Sequence, residues 1–264
     1  MNTKEKRALK KNFTFWEHRA KKFGSSYRAS WDDQLMIKQE IATMRANLPT
    51  SGLILDAGCS NGFSTVAIAR GAKRQVKAFD VSPASIRLAK KSQKRNSRQP
   101  SIDFRVGDIL KINQPDNIFN AAYTIRVLIN LPSWKLQQRA IKEVWRVLKP
   151  GGHYLLSEAF TGSLKKLNDA RLLTDLPPLT PPIFNHYLNE SALEKFVHPY
   201  FSIVAVKKFS SIYYLGSRFL RYLTMGKHTP DSYLNPINKF FAELEESHDS
   251  GDFGVQKLYI LKKR

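Results

Sequence analysis

The stretch Leu53-Ile54-Leu55-Asp56-Ala57-Gly58-Cys59-Ser60-Asn61-Gly62-Phe63-Ser64-Thr65 decides the fold. An apolar run ending on an acid, a turn holding two glycines and the start of a helical pattern read in succession as strand, loop and helix. Glycine lets a backbone approach a ligand closely, and the helix that follows presents unpaired N–H groups to it. The stretch is not the three-glycine dinucleotide fingerprint, because Cys59-Ser60-Asn61 separates its two glycines. Asp56 at the strand end would repel a pyrophosphate and suits an ammonium group.

Outward from this loop, strand patterns at 75–79, 103–106, 121–125 and 153–159 alternate with helical patterns at 64–70, 84–96 and 134–148. Such alternation specifies a parallel sheet with helices on both faces. Lys149-Pro150-Gly151-Gly152 is expected to end the last of these helices, since proline cannot continue it and glycine accepts positive φ. Upstream, residues 17–47 read as helical with a break at Gly24-Ser25-Ser26, and Pro49-Thr50-Ser51-Gly52 marks a turn. Downstream, 201–209 and 255–261 read as two more strands. Residues 1–48 are therefore expected to form a helical extension and 49–264 one domain. Two stretches at about 161–190 and 211–250 exceed a minimal doubly wound sheet, and are expected to cap the carboxyl ends of the strands, where ligands bind.

Two further acids occupy strand ends. Asp80 follows Phe79, 24 residues after Asp56, a separation that suits an acid gripping two ribose hydroxyls. Asp108, in Val106-Gly107-Asp108-Ile109-Leu110, stands where an adenine amino group can be accepted with Ile109 against the ring. Three acids at three successive strand ends are a poor match for a solvated surface.

These residues, with Arg146-Val147-Leu148-Lys149-Pro150-Gly151-Gly152, resemble the class I S-adenosylmethionine-dependent methyltransferases over roughly residues 50 to 160. The resemblance implies a Rossmann-like seven-stranded sheet, mostly parallel with an antiparallel last strand, and S-adenosyl-L-methionine as cofactor. It further implies that Gly58, Cys59 and Gly62 border the methionine part, that Asp56 serves the amino group through backbone or water, that Asp80 with Val81 holds the ribose, and that Asp108 and Ile109 hold the adenine. A looser resemblance, carried by Phe15-Trp16-Glu17-His18-Arg19-Ala20, Ile125-Arg126-Val127-Leu128-Ile129-Asn130-Leu131-Pro132, Phe184-Asn185-His186-Tyr187-Leu188 and Gly251-Asp252-Phe253-Gly254, is to bacterial small-molecule methyltransferases, including enzymes that modify sugars.

Methyl transfer from a sulfonium is an in-line displacement, so the protein has mainly to align the acceptor and exclude water. A hydroxyl acceptor also needs a base. His186 is the first candidate, because imidazole titrates near neutrality, and Glu158 near the end of the fifth strand is the second. Either can also be structural, His186 as an exposed loop residue and Glu158 as a buried, paired acid. Arg126 follows the fourth strand at the mouth of the cofactor cleft, where it either receives a carboxylate or phosphate in its fork or anchors the next helix. Arg19 either reaches the methionine carboxylate or sits on a helix surface. Tyr213, Tyr214 and Arg218 form either a substrate lid with stacking faces and a cation or a packed helix. No histidine pair has ligand spacing, so no metal is expected.

Composition frames the partner. The chain has 264 residues, with 43 Lys and Arg against 22 Asp and Glu, a net charge of +21. The first fifty residues carry +6, the second fifty +8, the third +4, the fourth −1 and the remainder +4. The densest block, Arg87, Lys90, Lys91, Lys94, Arg95 and Arg98, reads as a solvated helix face or a binding patch. A surface this basic meets something anionic. The leading expectation is O-methylation of a small anionic or sugar-containing acceptor; the alternatives are an RNA methyltransferase and a non-catalytic cofactor-binding module. Against RNA stands the lack of an Asn/Asp-Pro-Pro-Tyr-type motif after the fourth strand. A single cysteine, Cys59, excludes an intramolecular disulfide framework, and no run is apolar enough for a signal peptide or a membrane span, so the expected location is cytoplasmic.

Overall fold

The computed structural model describes residues 1–94, 102–225, 232–247 and 251–264. Seven strands form one sheet in the order β3-β2-β1-β4-β5-β7-β6. They are β1 (Ser51–Ala57), β2 (Lys73–Asp80), β3 (Ile102–Val106), β4 (Phe119–Ile125), β5 (Leu148–Ala159), β6 (Phe201–Lys207) and β7 (Gln256–Lys263). β1 to β5 run parallel, and β7 lies antiparallel between β5 and β6. The order reverses between β1 and β4, which opens a crevice beyond their carboxyl ends.

Helices α1 (Thr3–Phe23) and α2 (Gln34–Asn47) precede the sheet; α3 (Phe63–Ala69), α4 (Pro83–Lys94) and α5 (Trp134–Val147) connect its parallel strands. α5 shows why the chain folds this way: Leu136, Ala140, Ile141, Val144 and Val147 recur at helical spacing, and all are buried against one face of the sheet. Each of its larger apolar side chains contributes about 1.5–3 kcal/mol by leaving water. Met44 of α2, Ile68 of α3 and Ile86 of α4 fill the other face with Ile54 and Val76. The caps contain α6 (Thr161–Leu172) after β5, then, after α7 (Glu190–Val197) and β6, the helices α8 (Ser211–Leu215), α9 (Arg221–Met225) and α10 (Pro236–Ser247), with one π-helical turn (Gly216–Leu220) between α8 and α9.

The structure departs from the pattern reading at three places. α1 begins at Thr3, where Asn2 and Glu5 form a reciprocal capping box. Strand β5 already starts at Leu148, because α5 stops at Val147 and Phe119 of β4 pairs with Leu148 across an irregular register. The strand read at 201–209 ends at Lys207. The helix read at 84–96 runs past the described residues, as do Arg95 and Arg98 of the basic block.

Candidate functional site

The ends of β1, β2 and β3 hold the three acids. Asp56 is buried and accepts hydrogen bonds from Thr65 Oγ1 and the Tyr123 hydroxyl, both at 2.7 Å. Burial pushes its carboxyl up to about 7, against the pull of those two donors. Gly58 has φ +96°, and a Cβ there would lie 2.4 Å from Val127 Cγ2, so the turn needs glycine both for its backbone and for the close passage of the loop after β4. Asp80, half-buried, accepts from Ser60 N–H through Oδ2 and from Ser82 N–H through Oδ1, each at 2.9 Å. It ties the glycine loop to the start of α4. Burial raises its pKa while the two amides oppose the rise. Asp108 accepts from Leu110 N–H through Oδ1, which turns the chain so that Ile109 and Leu110 are buried beneath it.

The loop after β4 carries Arg126 in a left-handed conformation, φ +55°. Its Nε lies 3.1 Å from each carboxylate oxygen of the buried Glu40 on α2, and its guanidinium stacks over Trp31 with the carbon 4.7 Å from the ring centre. Glu158 lies behind this loop. It is fully buried and accepts from the amides of Val127, Leu128 and Ile129 at 3.0, 3.0 and 3.3 Å. Desolvation raises its pKa to about 7, while the three amides favour its charged form.

The sheet ends are roofed by α1 and the caps. Asn12 Nδ2 donates to the Asn130 carbonyl at 2.7 Å and Trp16 Nε1 to Asn130 Oδ1 at 3.2 Å, which joins α1 to the loop after β4. Asn61 Nδ2 donates to the carbonyls of Gly24 and Ser26, at 2.8 Å each, which joins the glycine loop to the end of α1. Phe184 of the first cap packs against Phe15, 4.5 Å between ring centres. In the second cap Arg218 reaches Asp33 Oδ2 at 2.7 Å, and its guanidinium faces the rings of Tyr213, Tyr214 and Tyr233. Asp33 is fully buried, takes the Tyr213 hydroxyl as well, and caps α2 through Met36 N–H.

These parts enclose one cavity of about 610 Å³. Of the residues singled out in the sequence, Asp56, Gly58, Cys59, Asp80, Val81, Asp108, Ile109, Arg126, Tyr214 and Arg218 line it. Gly62 does not; its φ of +77° turns the chain into α3, and a Cβ there would press on Phe104 and Ala89. His186 is exposed and outside the lining, and only its backbone is engaged, with N–H to the Ile129 carbonyl and its own carbonyl to Gln137 Nε2. Glu158 and Tyr213 also stay outside, each spent on an internal hydrogen-bond set. Arg19 lines the cavity; it pairs with Asp32 at 3.1 Å, while its buried Nε has no protein partner. The sequence reading missed Asp33 and Glu40, the carboxylates that pair with Arg218 and Arg126. Asp33 does sit at a readable helix cap, but nothing in the sequence ties it to a residue 185 positions away.

Residues 54–152 match a family described as a methyltransferase domain. Among curated proteins, the malonyl-[acyl-carrier protein] O-methyltransferase of Serratia marcescens is 32% identical over 149 residues, 55% of this chain and 52% of that one. The 24-methylenesterol C-methyltransferase 3 of Arabidopsis thaliana is 30% identical over 129 residues, 49% of this chain and 35% of that one. The chain thus spans about a third to a half of the length of these relatives. Among solved structures, the geranyl diphosphate C-methyltransferase of Streptomyces coelicolor A3(2), in complex with S-adenosyl-L-homocysteine, covers 97% of this chain and 98% of its own at TM-score 0.62 and 13% identity. The [4+2]-cyclase SpnF, at TM-score 0.57 and 20% identity, covers 86% of this chain and 80% of its own. Likenesses at that identity show the fold alone, and the pairing of a cyclase with methyltransferases illustrates why. Taken with the seven-stranded sheet and the acids at its strand ends, the match identifies residues 54–152 as a methyltransferase domain of the Rossmann-like, S-adenosylmethionine-dependent class.

Proposed function

We propose that the chain transfers a methyl group from S-adenosyl-L-methionine to an acidic oxygen, a carboxylate or a phenolate, of a small acceptor with an apolar body. The observation that carries this reading is the composition of the cavity wall. At the cap end it is aromatic and aliphatic, with Phe15, Trp16, Leu164, Leu179, Phe184 and Tyr187, and the two arginines there are already matched by Glu40 and Asp33. The anion-binding strength expected from Arg126 and Arg218 is thereby largely cancelled, though both still orient a polar group.

No base positioned for an unactivated alcohol lines the cavity among the described residues. Tyr187 and Tyr214 line it, but burial holds both phenols above their ordinary pKa, so at neutral pH they donate and do not accept protons. Asp56 has a carboxyl near neutrality, but its Oδ2 is held by Thr65 and Tyr123. His186 and Glu158 lie elsewhere. An acceptor that brings its own ionised oxygen needs none of these groups, whereas a sugar hydroxyl does. This favours the anionic form of the acceptor over the sugar-containing one.

The residues present fit the cofactor. Asp80 fixes the glycine loop and the start of α4 at a strand end suited to ribose hydroxyls. Asp108 and Ile109 stand one strand further, and the unpartnered Nε of Arg19 suits the methionine carboxylate. Bound there, S-adenosyl-L-methionine supplies an electrophilic methyl group. The chain's own part is to orient the acceptor oxygen and, through α1 and the caps, to keep water out. A single buried thiol, Cys59, is compatible with the reducing cytoplasm we infer as its location.

Incubation with labelled S-adenosyl-L-methionine and matched acceptors, one acidic and one alcoholic on the same aromatic scaffold, tests the reading. Label is expected in the acidic one, with a rate that follows the acceptor's own ionisation. Transfer to polymeric RNA with none to small molecules would favour the RNA alternative. Tight cofactor binding with no transfer to any fractionated extract would favour the non-catalytic one.

A further inference from the structure

The outer surfaces of α1 and α4 belong to no part of the site, yet they carry a large share of the charge. Lys6, Lys10, Lys11 and Lys21 are exposed along α1, and Lys90 and Lys91 along α4. α1 packs against α4, so the two basic helices are neighbours. The two acids of α1 are hydrogen-bonded to neighbouring groups, and Glu17 also pairs with Lys21 at 3.8 Å and Arg87 at 3.9 Å. Glu5 accepts from Ser133 Oγ at 2.7 Å and from Asn2 N–H, while Glu17 accepts from Ser82 Oγ and Ala84 N–H at the start of α4. The described part of α4 contains no acid.

Apolar side chains border this basic surface. Phe13 of α1 is 38% exposed while also lining the cavity, and Ile183, beside the Phe184 that packs on Phe15, is 90% exposed. A nucleic acid would engage the lysines and the exposed Arg7 and Arg87 through its phosphates, but it leaves the exposed aliphatic Ile183 without a role. The basic and apolar groups together fit the headgroup boundary of a bilayer, where lysines meet anionic headgroups and apolar side chains enter the acyl edge.

We infer that this face docks on an anionic lipid surface, with α1 lying along the headgroups and Ile183 dipping below them. Docking in this way brings the seam between α1 and the first cap, which leads into the cavity, to the bilayer. No helix among the described residues is long and apolar enough to cross a membrane, so the association is peripheral and salt-sensitive.

Flotation of the whole chain with vesicles tests this, using pure phosphatidylcholine and phosphatidylcholine containing about a third phosphatidylserine, at low and high salt. Binding is expected to the anionic vesicles only, and to fall steeply with salt. Lys6→Gln with Lys10→Gln should weaken it on the order of twentyfold, since each lysine near such a surface is worth roughly a fivefold change. Ile183→Ser, which removes the apolar group and adds no charge, should weaken it without changing the salt dependence. Thermal melts of each variant check that the fold is retained. Equal binding to both vesicles, no binding to either, or tighter binding to single-stranded RNA than to anionic vesicles at the same salt would each overturn the inference.

Discussion

The two ends of the cavity are built on opposite electrostatic plans. At the ends of β1, β2 and β3 the charged groups are carboxylates, and what touches them is backbone N–H or hydroxyl: Asp80 takes two amides, Asp108 one amide, Asp56 two hydroxyls. At the cap end the charged groups come as matched pairs, Arg126 with Glu40 and Arg218 with Asp33. The first plan leaves acids able to take a ligand's hydroxyl or amino protons. The second consumes its charge internally and holds the helices that roof the site. A charged side chain lining a cavity is therefore a different thing at each end, a group offered to a ligand in one case and a structural joint in the other.

The comparison breaks most sharply at the joints. Asp33→Ala should leave the guanidinium of Arg218, only 14% exposed, without its counter-charge, and lower stability by about 3–5 kcal/mol in urea unfolding. Replacing Asp33 and Arg218 together with apolar residues of similar volume should recover much of that loss, because the cost lies in the uncompensated charge. Full loss in the double variant would show that Arg218 is held for another reason.

The next effect belongs to the other end. Asp80→Ala should weaken S-adenosylmethionine binding by about tenfold to a hundredfold in calorimetry, the worth of hydrogen bonds to a charged acceptor. Urea unfolding should move much less than for Asp33→Ala. Unchanged affinity would remove the assignment of β2's end to the ribose.

A smaller effect is in pH. Asp56 has a folded pKa of about 7, above its ordinary value of 3.8, so the native state holds its proton more tightly than the unfolded one. The stability that proton brings is full below about pH 4 and is lost as pH rises through 7. Asp56→Asn should flatten the fall in melting temperature between pH 5 and 8 relative to the parent. Glu158 shifts the same way, so some slope should remain. Asp252 runs opposite: ion pairs and hydrogen bonds from Lys166 and Lys257 hold it near 2, and its contribution is lost only as pH falls below about 4 towards 2.

The smallest expected effect is none. His186→Ala should leave methyl transfer within about twofold, because the imidazole faces solvent and the backbone makes this residue's contacts. A large loss would return His186 to the reaction and revise the view that the acceptor brings its own ionised oxygen.

Legibility in the sequence follows the same division. The strands, the glycine loop and the acids were readable because each depends on neighbours within a few residues: period, turn chemistry and strand-end position. Asp56, Asp80 and Asp108 all line the cavity as that reading expects. Glu158 and His186 were chosen for chemistry at a plausible position, and a side chain's direction is not local information. Glu158 points into three amides of the loop after β4 because that loop folds back over β5. Tyr213 and Tyr214 are adjacent in sequence and part company in space, one hydroxyl buried on Asp33 and the other ring facing the cavity.

By itself, the sequence determined the parallel α/β core, the glycine loop and the acids at the strand ends that line the cavity, since short-range sterics and periodicity dictate all three. Only the tertiary structure decided that Arg126 and Arg218 are neutralised, that α1 roofs the site, and that Glu5 and Glu17 of α1 are tied to Ser133 and to the start of α4. Those outcomes rest on contacts between segments tens to hundreds of residues apart, where burial makes an unpaired charge too costly and so selects the partner.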